Sequence, residues 1–205
     1  LTAATYYIDS IAKGKADGSS WANAFPTIKA AYAKVPASST VYISGGPSGQ
    51  SQSYDGSSSD QYPGEFMTAS GATWKIGQDS AHNGTAQFDA RNAGSWLQQG
   101  YENVIISGDA GDGKCHFVLK DNSTLAGPGN CNNASGLRLS YIDFGKQPCN
   151  SGNSALNFNP GHAVEVDHCM IYANGATVNM FSYGQFDGTG YDQNSFHDNT
   201  VILPR

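Results

Sequence analysis

The sequence predicts an all-β chain: a parallel β-solenoid of about six coils behind an N-terminal capping helix, in one domain over residues 1–205. Three observations point there. Short strands with an apolar–x–apolar core recur at steps of about 30 residues. Charged residues are only 14% of the chain while glycines number 25, so turn-forming amides and hydroxyls must wet the surface. One segment alone, just before the first rung, carries helical periodicity.

Residues 1–40 read as a strand, a loop and a cap. In "GSSWANAFPTIKAAYAKVPA" (18–37), Trp21, Phe25, Ile28, Ala31, Tyr32 and Val35 fall at helical spacing. Pro26 stands near the start, where proline is tolerated, and Pro36 ends the segment. An amphipathic helix here covers the open end of a stack, as a terminal repeat must.

The rungs follow over 41–205: "VYISGG" at 41, "WKIGQD" at 74, "VIISGD" at 104, "YIDFGK" at 141, "CMIYAN" at 169 and "NTVILP" at 199. Their second apolar positions predict one inward column of Ile43, Ile76, Ile106, Phe144, Ile171 and Val201, with Lys75, Ile105, Asp143, Met170 and Thr200 facing out. Shorter strands such as "AQFDA", "HFVLK" and "ALNFN" lie between them. One coil cannot bury its inward side chains alone; stacking coils ~4.8 Å apart pairs each strand with the next. A β-sandwich competes, but its hairpin signals recur every ~8–12 residues, and irregular polar loops stand here instead.

Composition narrows the partners. The net charge of −6 comes without any Lys/Arg run, which argues against nucleic acid. No stretch of about 18 apolar residues could span a membrane. Leu1 in place of Met fits a processed secreted chain or a trimmed one, and sequons at Asn83, Asn122 and Asn133 lean the same way. Cys115, Cys131, Cys149 and Cys169 lack zinc-site spacing. They allow two disulfides in three connectivities, or a buried thiol at Cys169.

The stretch "TYYIDSIAKGKADGSSWANAFPTIKAAYAKVPASSTVYISGG" resembles the N-terminal entry of secreted right-handed parallel β-helix proteins of the pectate-lyase-like superfamily, and "VDHCMIYANG" is similar to that group's coil pattern. The resemblance implies an extracellular protein that binds or processes polysaccharide or a cell-surface glycan as a lyase or hydrolase. The same superfamily also holds tailspikes and adhesins, so fold alone does not choose.

A uronate lyase needs a cation for the substrate carboxylate and a base for its proton, yet Arg91, Arg138 and Arg205 sit in no lyase motif. The paired-Asp and Gly-His-Gly patterns of the polygalacturonase branch are absent. The ladder itself offers candidates: "RLSYID", "EVDHCM" and "SFHDNT" would stack Asp143, Asp167, His168, His197 and Asp198 near one edge, with Glu165 and Lys146 close by. Such a cluster could act as acid and base or hold Ca²⁺; the plainer reading is turn residues at strand entries. Tyr172, Tyr183, Phe186 and Tyr191, in a Gly-rich loop region with Phe181, are candidate sugar-stacking rings, with Lys146 as a further substrate contact. "SGGPSGQSQSYDGSSSDQYPGEF" (44–66) is a second long loop, without the Lys-Ser/Thr ending of a phosphate loop.

The last rung, "HDNTVILPR", reads as a strand with inward Asn199 and Val201 and no cap after it. An uncovered rung is an aggregation-prone edge, so the expectation is a chain that continues, or a homo-oligomer or filament that covers that end. The competing function is therefore a structural or adhesive subunit assembling through its solenoid ends or faces.

Overall fold

The computed structural model describes residues 4–32, 34–55, 69–89, 97–98, 102–121, 129–132, 135–146, 156–159, 163–172, 181–183 and 194–202. They form a parallel β-solenoid with three sheets. The first sheet stacks Thr5–Ile8, Thr40–Ile43, Thr73–Ile76, Ile105–Ser107, Arg138–Ser140, Glu165–Asp167 and Ser195–His197. The second stacks Ser51–Asp55, Thr85–Asp89, Phe117–Leu119, Ile142–Asp143, Met170–Tyr172 and Thr200–Ile202. Leu97–Gln98, Gly129–Asn132, Leu156–Asn159 and Phe181–Tyr183 make the third, so four turns have all three sides among the described residues.

Register corrects the inward column. Val41, Trp74, Ile106, Leu139, Val166 and Phe196 align on the first sheet, and Ile8, Ile43 and Ile76 form a second inward column beside them. Ile171 and Val201 belong to the second sheet, where Phe117 pairs with Ile142; Phe144 follows that sheet's Ile142–Asp143 strand. The sequence alignment merged two sheets because both carry the same apolar–x–apolar pattern. The outward assignment of Asp143, Met170 and Thr200 holds as a single column of the second sheet.

Left-handed residues stand at entries to the first sheet, and in the last three turns that sheet meets the second at a corner of one or two residues. Ser38, Asn103 and Ala163 have φ near +55°, and so do Tyr141, His168 and Asp198 at the next corner. Each such non-glycine corner costs on the order of 1 kcal/mol of backbone strain, offset by the ladder bonds on both sides. Gly136 occupies the first corner series with φ +67°, where a Cβ would stand 2.3 Å from the Asn103 side chain.

The N-terminal cap is present, and its helix starts later than the 18–37 segment suggests. A 3₁₀ turn at Trp21–Asn23 precedes an α-helix at Ile28–Tyr32. Proline disfavours the α conformation in the residue before it, so Phe25 is extended and pairs with Ile8 as a one-residue rung. The helix starts after Pro26, where Thr27 Oγ1 accepts from the Ala30 N–H at 2.9 Å. Phe25, Ile28, Ala31 and Val35 are nevertheless buried over the end of the core.

Asn199 also departs from expectation. Its side chain does not line an open edge: Oδ1 accepts from Cys169 N, and Nδ2 donates to Val166 O, both at 2.8 Å. Val201 pairs in register with buried Ile171 and is 39% exposed. No disulfide occurs among the described residues: Cys115 and Cys169 are free thiols. Cys169 points inward and donates to Asp167 O at 3.2 Å, the buried-thiol alternative. Burial pushes Cys115 up to about 11. The side chains of Cys131 and Cys149 lie outside the described residues.

Candidate functional site

In the first sheet, residues that alternate with the inward column face out. One outward column runs Tyr7, Tyr42, Lys75, Ser107, Ser140, Asp167, His197; the other runs Thr5, Thr40, Thr73, Ile105, Arg138, Glu165, Ser195. A groove of about 490 Å³ lies on this face, lined by Lys75, Gln78, Ile105, Ser107, Arg138 and Tyr141 among others.

At its C-terminal end the charges interlock. Arg138 donates from Nε to Asp167 Oδ1 at 3.1 Å and from an η nitrogen to Oδ2 at 2.8 Å. His168 Nδ1 stands 2.9 Å from the same Oδ2. An ionised carboxylate only accepts, so Nδ1 carries the proton of this hydrogen bond. The Asp167 side chain is fully buried under these partners. Burial raises its pKa, but the hydrogen bonds and charges of Arg138 and His168 outweigh that and hold it below the usual carboxylate range. The Tyr141 ring stacks on His168 at 4.6 Å, and Arg138 also reaches Glu165 at 3.6 Å.

His197 is the next rung. Nδ1 meets Asp198 at 2.9 Å and Nε2 meets Glu165 at 3.2 Å. Hydrogen bonds from Asp198 and then Glu165 raise its pKa, and those of His197 lower that of Asp198. The two imidazole rings lie 6.4 Å apart, edge to face. His168 is oriented by Asp167, while His197 is held between two carboxylates that favour its imidazolium.

The ladder thus brings Asp167, His168, His197 and Asp198 together, with Glu165, and it separates Asp143. That residue belongs to the second sheet, flanked in register by Val118 and Met170, with burial raising its pKa and Gly145 N donating to it at 2.9 Å. Asp143 is in register with Met170 and not with Asp167; the corners at Tyr141 and His168 put the two carboxylates on different sheets. Tyr172 is on the second sheet as well, and Lys146 comes after that sheet's Ile142–Asp143 strand, its backbone N–H donating to Asp121 Oδ1. Tyr183 sits in a third-sheet strand whose side chains lie outside the described residues, as do Phe186 and Tyr191.

Two residues that sequence reasoning passed over organise the cluster. Arg138 was set aside for lacking a lyase motif, yet the signal was present: it opens "RLSYID" at the position of Glu165 in "EVDHCM". Tyr141 opens the predicted rung "YIDFGK" but stands at a corner. His168 and Asp198 are corner residues too, so the turn-residue reading describes their backbone correctly.

A Ca²⁺ ion does not fit. Both Asp167 oxygens and both His197 nitrogens are engaged, and no group of three His, Cys, Asp or Glu among the described residues is arranged to hold a metal. No helix among them is long and apolar enough to cross a membrane.

Fold and site define a parallel β-solenoid with an ionic cluster at one end of a long outward groove. No protein-family model matches the chain, and no curated protein or solved structure matches it. The resemblance to the pectate-lyase-like superfamily therefore rests on the quoted residues alone.

Proposed function

We propose that this chain is an extracellular β-helix protein whose first-sheet groove binds polysaccharide, as the resemblance of its N-terminal stretch implies. The observation that carries the reading is the Asp167–His168 pair, clamped by Arg138 at the end of an open groove. A fully buried, outward-facing carboxylate is expensive to keep, and here it orients an imidazole whose Nε2 meets no hydrogen-bond partner among the described residues. Ile105, 37% exposed on the groove floor, adds an apolar patch among hydroxyls, a mixture suited to sugar rings.

Binding is favoured over processing. Arg138 is committed to Asp167, so it does not supply the free cation of a uronate lyase. Glu165 and Asp198 are both paired with His197, so within this cluster neither is the unengaged carboxyl group that a hydrolase uses. Among the described residues of this cluster, His168 is the side chain oriented for processing. A panel of neutral and acidic polysaccharides tests the reading: retention on at least one is expected, weakened in His168→Ala. No retention, no new reducing ends and no unsaturated product from any of them would overturn it.

A further inference from the structure

The opposite end of the same face carries a second cavity, of about 310 Å³, lined by Tyr7, Trp21, Tyr42, Gln78 and Asp79. It draws on the cap, two strands and the turn after a third. Trp21 comes from the 3₁₀ turn and is fixed on two sides. Its Nε1 donates to Asp79 Oδ2 at 3.0 Å, and its ring lies parallel to His82 at 3.8 Å. His82 is itself held by Asp79 Oδ1 at 2.6 Å. Tyr7 meets Trp21 edge-on at 4.7 Å and stacks with Tyr42 at 5.8 Å. Tyr7 and Tyr42 alternate with buried Ile8, Val41 and Ile43, so they belong to the outer face and add nothing to the solenoid core.

Three rings held on an outer face, with a carboxamide and a carboxylate at their edge, fit one ligand chemistry. A pyranose presents C–H faces that stack on aromatic rings and a hydroxyl rim that needs donors and acceptors. Charge is poorly served here. Asp79 is already matched by His82 and the Trp21 N–H, so it does not call for a cation. Lys75 Nζ sits 5.6 Å over the Tyr42 ring, which places a positive charge where a cationic ligand would have to stack.

We propose that this cavity is a stacking subsite for a neutral pyranose, anchoring a glycan chain that runs along the outward column toward His168. The proposal rests on the glycan-groove reading. Gln78 lines both cavities, and Lys75 connects the Tyr42 ring to the larger one. From Tyr42 through Lys75, Ser107 and Ser140 to Asp167 the register advances four strand spacings, about 19 Å at the usual inter-strand distance. The occupant is therefore an oligosaccharide of several units rather than a single sugar.

Isothermal titration with cello-, xylo- and manno-oligosaccharides of two to six units, and with polygalacturonate as the charged comparator, tests this. Binding to a neutral series should tighten with chain length. Trp21→Ala and Tyr42→Ala should each weaken it about tenfold, the scale of one lost stacking contact. Trp21→Phe should recover most of the loss, which separates stacking from folding. If both alanine variants bind like the parent protein, the subsite is wrong while the groove stands. Preference for polygalacturonate over every neutral series overturns the neutral assignment. Absence of binding to any of these probes, together with no retention on the polysaccharide panel, removes the groove and the subsite together.

Discussion

The two ends of the outer face share one backbone and differ in what holds their side chains. At the N-terminal end Tyr7, Trp21 and Tyr42 are joined mainly by ring contacts, with Asp79 supplying a single anchoring carboxylate. At the C-terminal end Arg138, Asp167, His168, Glu165, His197 and Asp198 are joined by ionic hydrogen bonds around a fully buried carboxylate. The difference teaches that the ladder dictates only the inward residues. Outward positions in the same column are free to carry stacking chemistry at one rung and proton chemistry five rungs later.

The largest expected effect separates the ends by stability. Arg138→Ala leaves Asp167 buried without its bidentate partner, which should cost on the order of 3 kcal/mol in chemical denaturation. Replacing both partners, Arg138→Met with Asp167→Leu, should return most of that loss, because no buried charge is then left unpaired. A single-variant loss below about 1 kcal/mol would mean that water reaches Asp167 and that the two ends are alike.

The solenoid was legible because its inward positions repeat: the apolar–x–apolar pattern of "VYISGG" and "WKIGQD" lands directly on paired strands. It failed where two sheets carry the same pattern. "YIDFGK" and "CMIYAN" were laid over first-sheet rungs because the pattern itself does not mark Tyr141 and His168 as corners. Tyr141 is not a residue type that favours the left-handed region, and the ladder around it supplies the stabilisation, whereas His168 and Asp198 are of types that tolerate it. The charged end was half legible for the same reason: Asp167, His168, His197 and Asp198 stack as expected, while Asp143 crosses the corner onto the next sheet. The aromatic end was invisible to sequence reasoning. Trp21 and Asp79 are 58 residues apart, and Trp21 had been counted as the apolar face of a helix that Pro26 does not allow.

A smaller effect is expected from Trp21→Ala. The ring is half-buried, so its loss should cost on the order of 1 kcal/mol, well below Arg138→Ala. The two sites share no partner, and the double variant should lose the sum of the two within about 0.5 kcal/mol. A clear departure from additivity would show that the ends are coupled along the face rather than independent.

The smallest effect is a pH signature confined to the charged end. His197 has its pKa raised by Asp198 and Glu165, so the folded state binds its proton more tightly than the unfolded chain does. That contribution is complete below about pH 6.5, the ordinary histidine value, and disappears as pH rises through the raised folded value. Asp167 runs the other way: its pKa is depressed, so its contribution is present above the ordinary carboxylate range and is lost as pH falls through the lower folded value. His197→Gln should therefore flatten the alkaline side of a melting-temperature profile and leave the acid side in place. Because His197 lies at the surface, added salt should shrink its step while leaving the Asp167 limb largely intact, since a buried pair is screened less. If His197→Gln leaves the alkaline side unchanged, the imidazolium is not held between Glu165 and Asp198, and His168 is left as the only histidine with a defined place in the cluster.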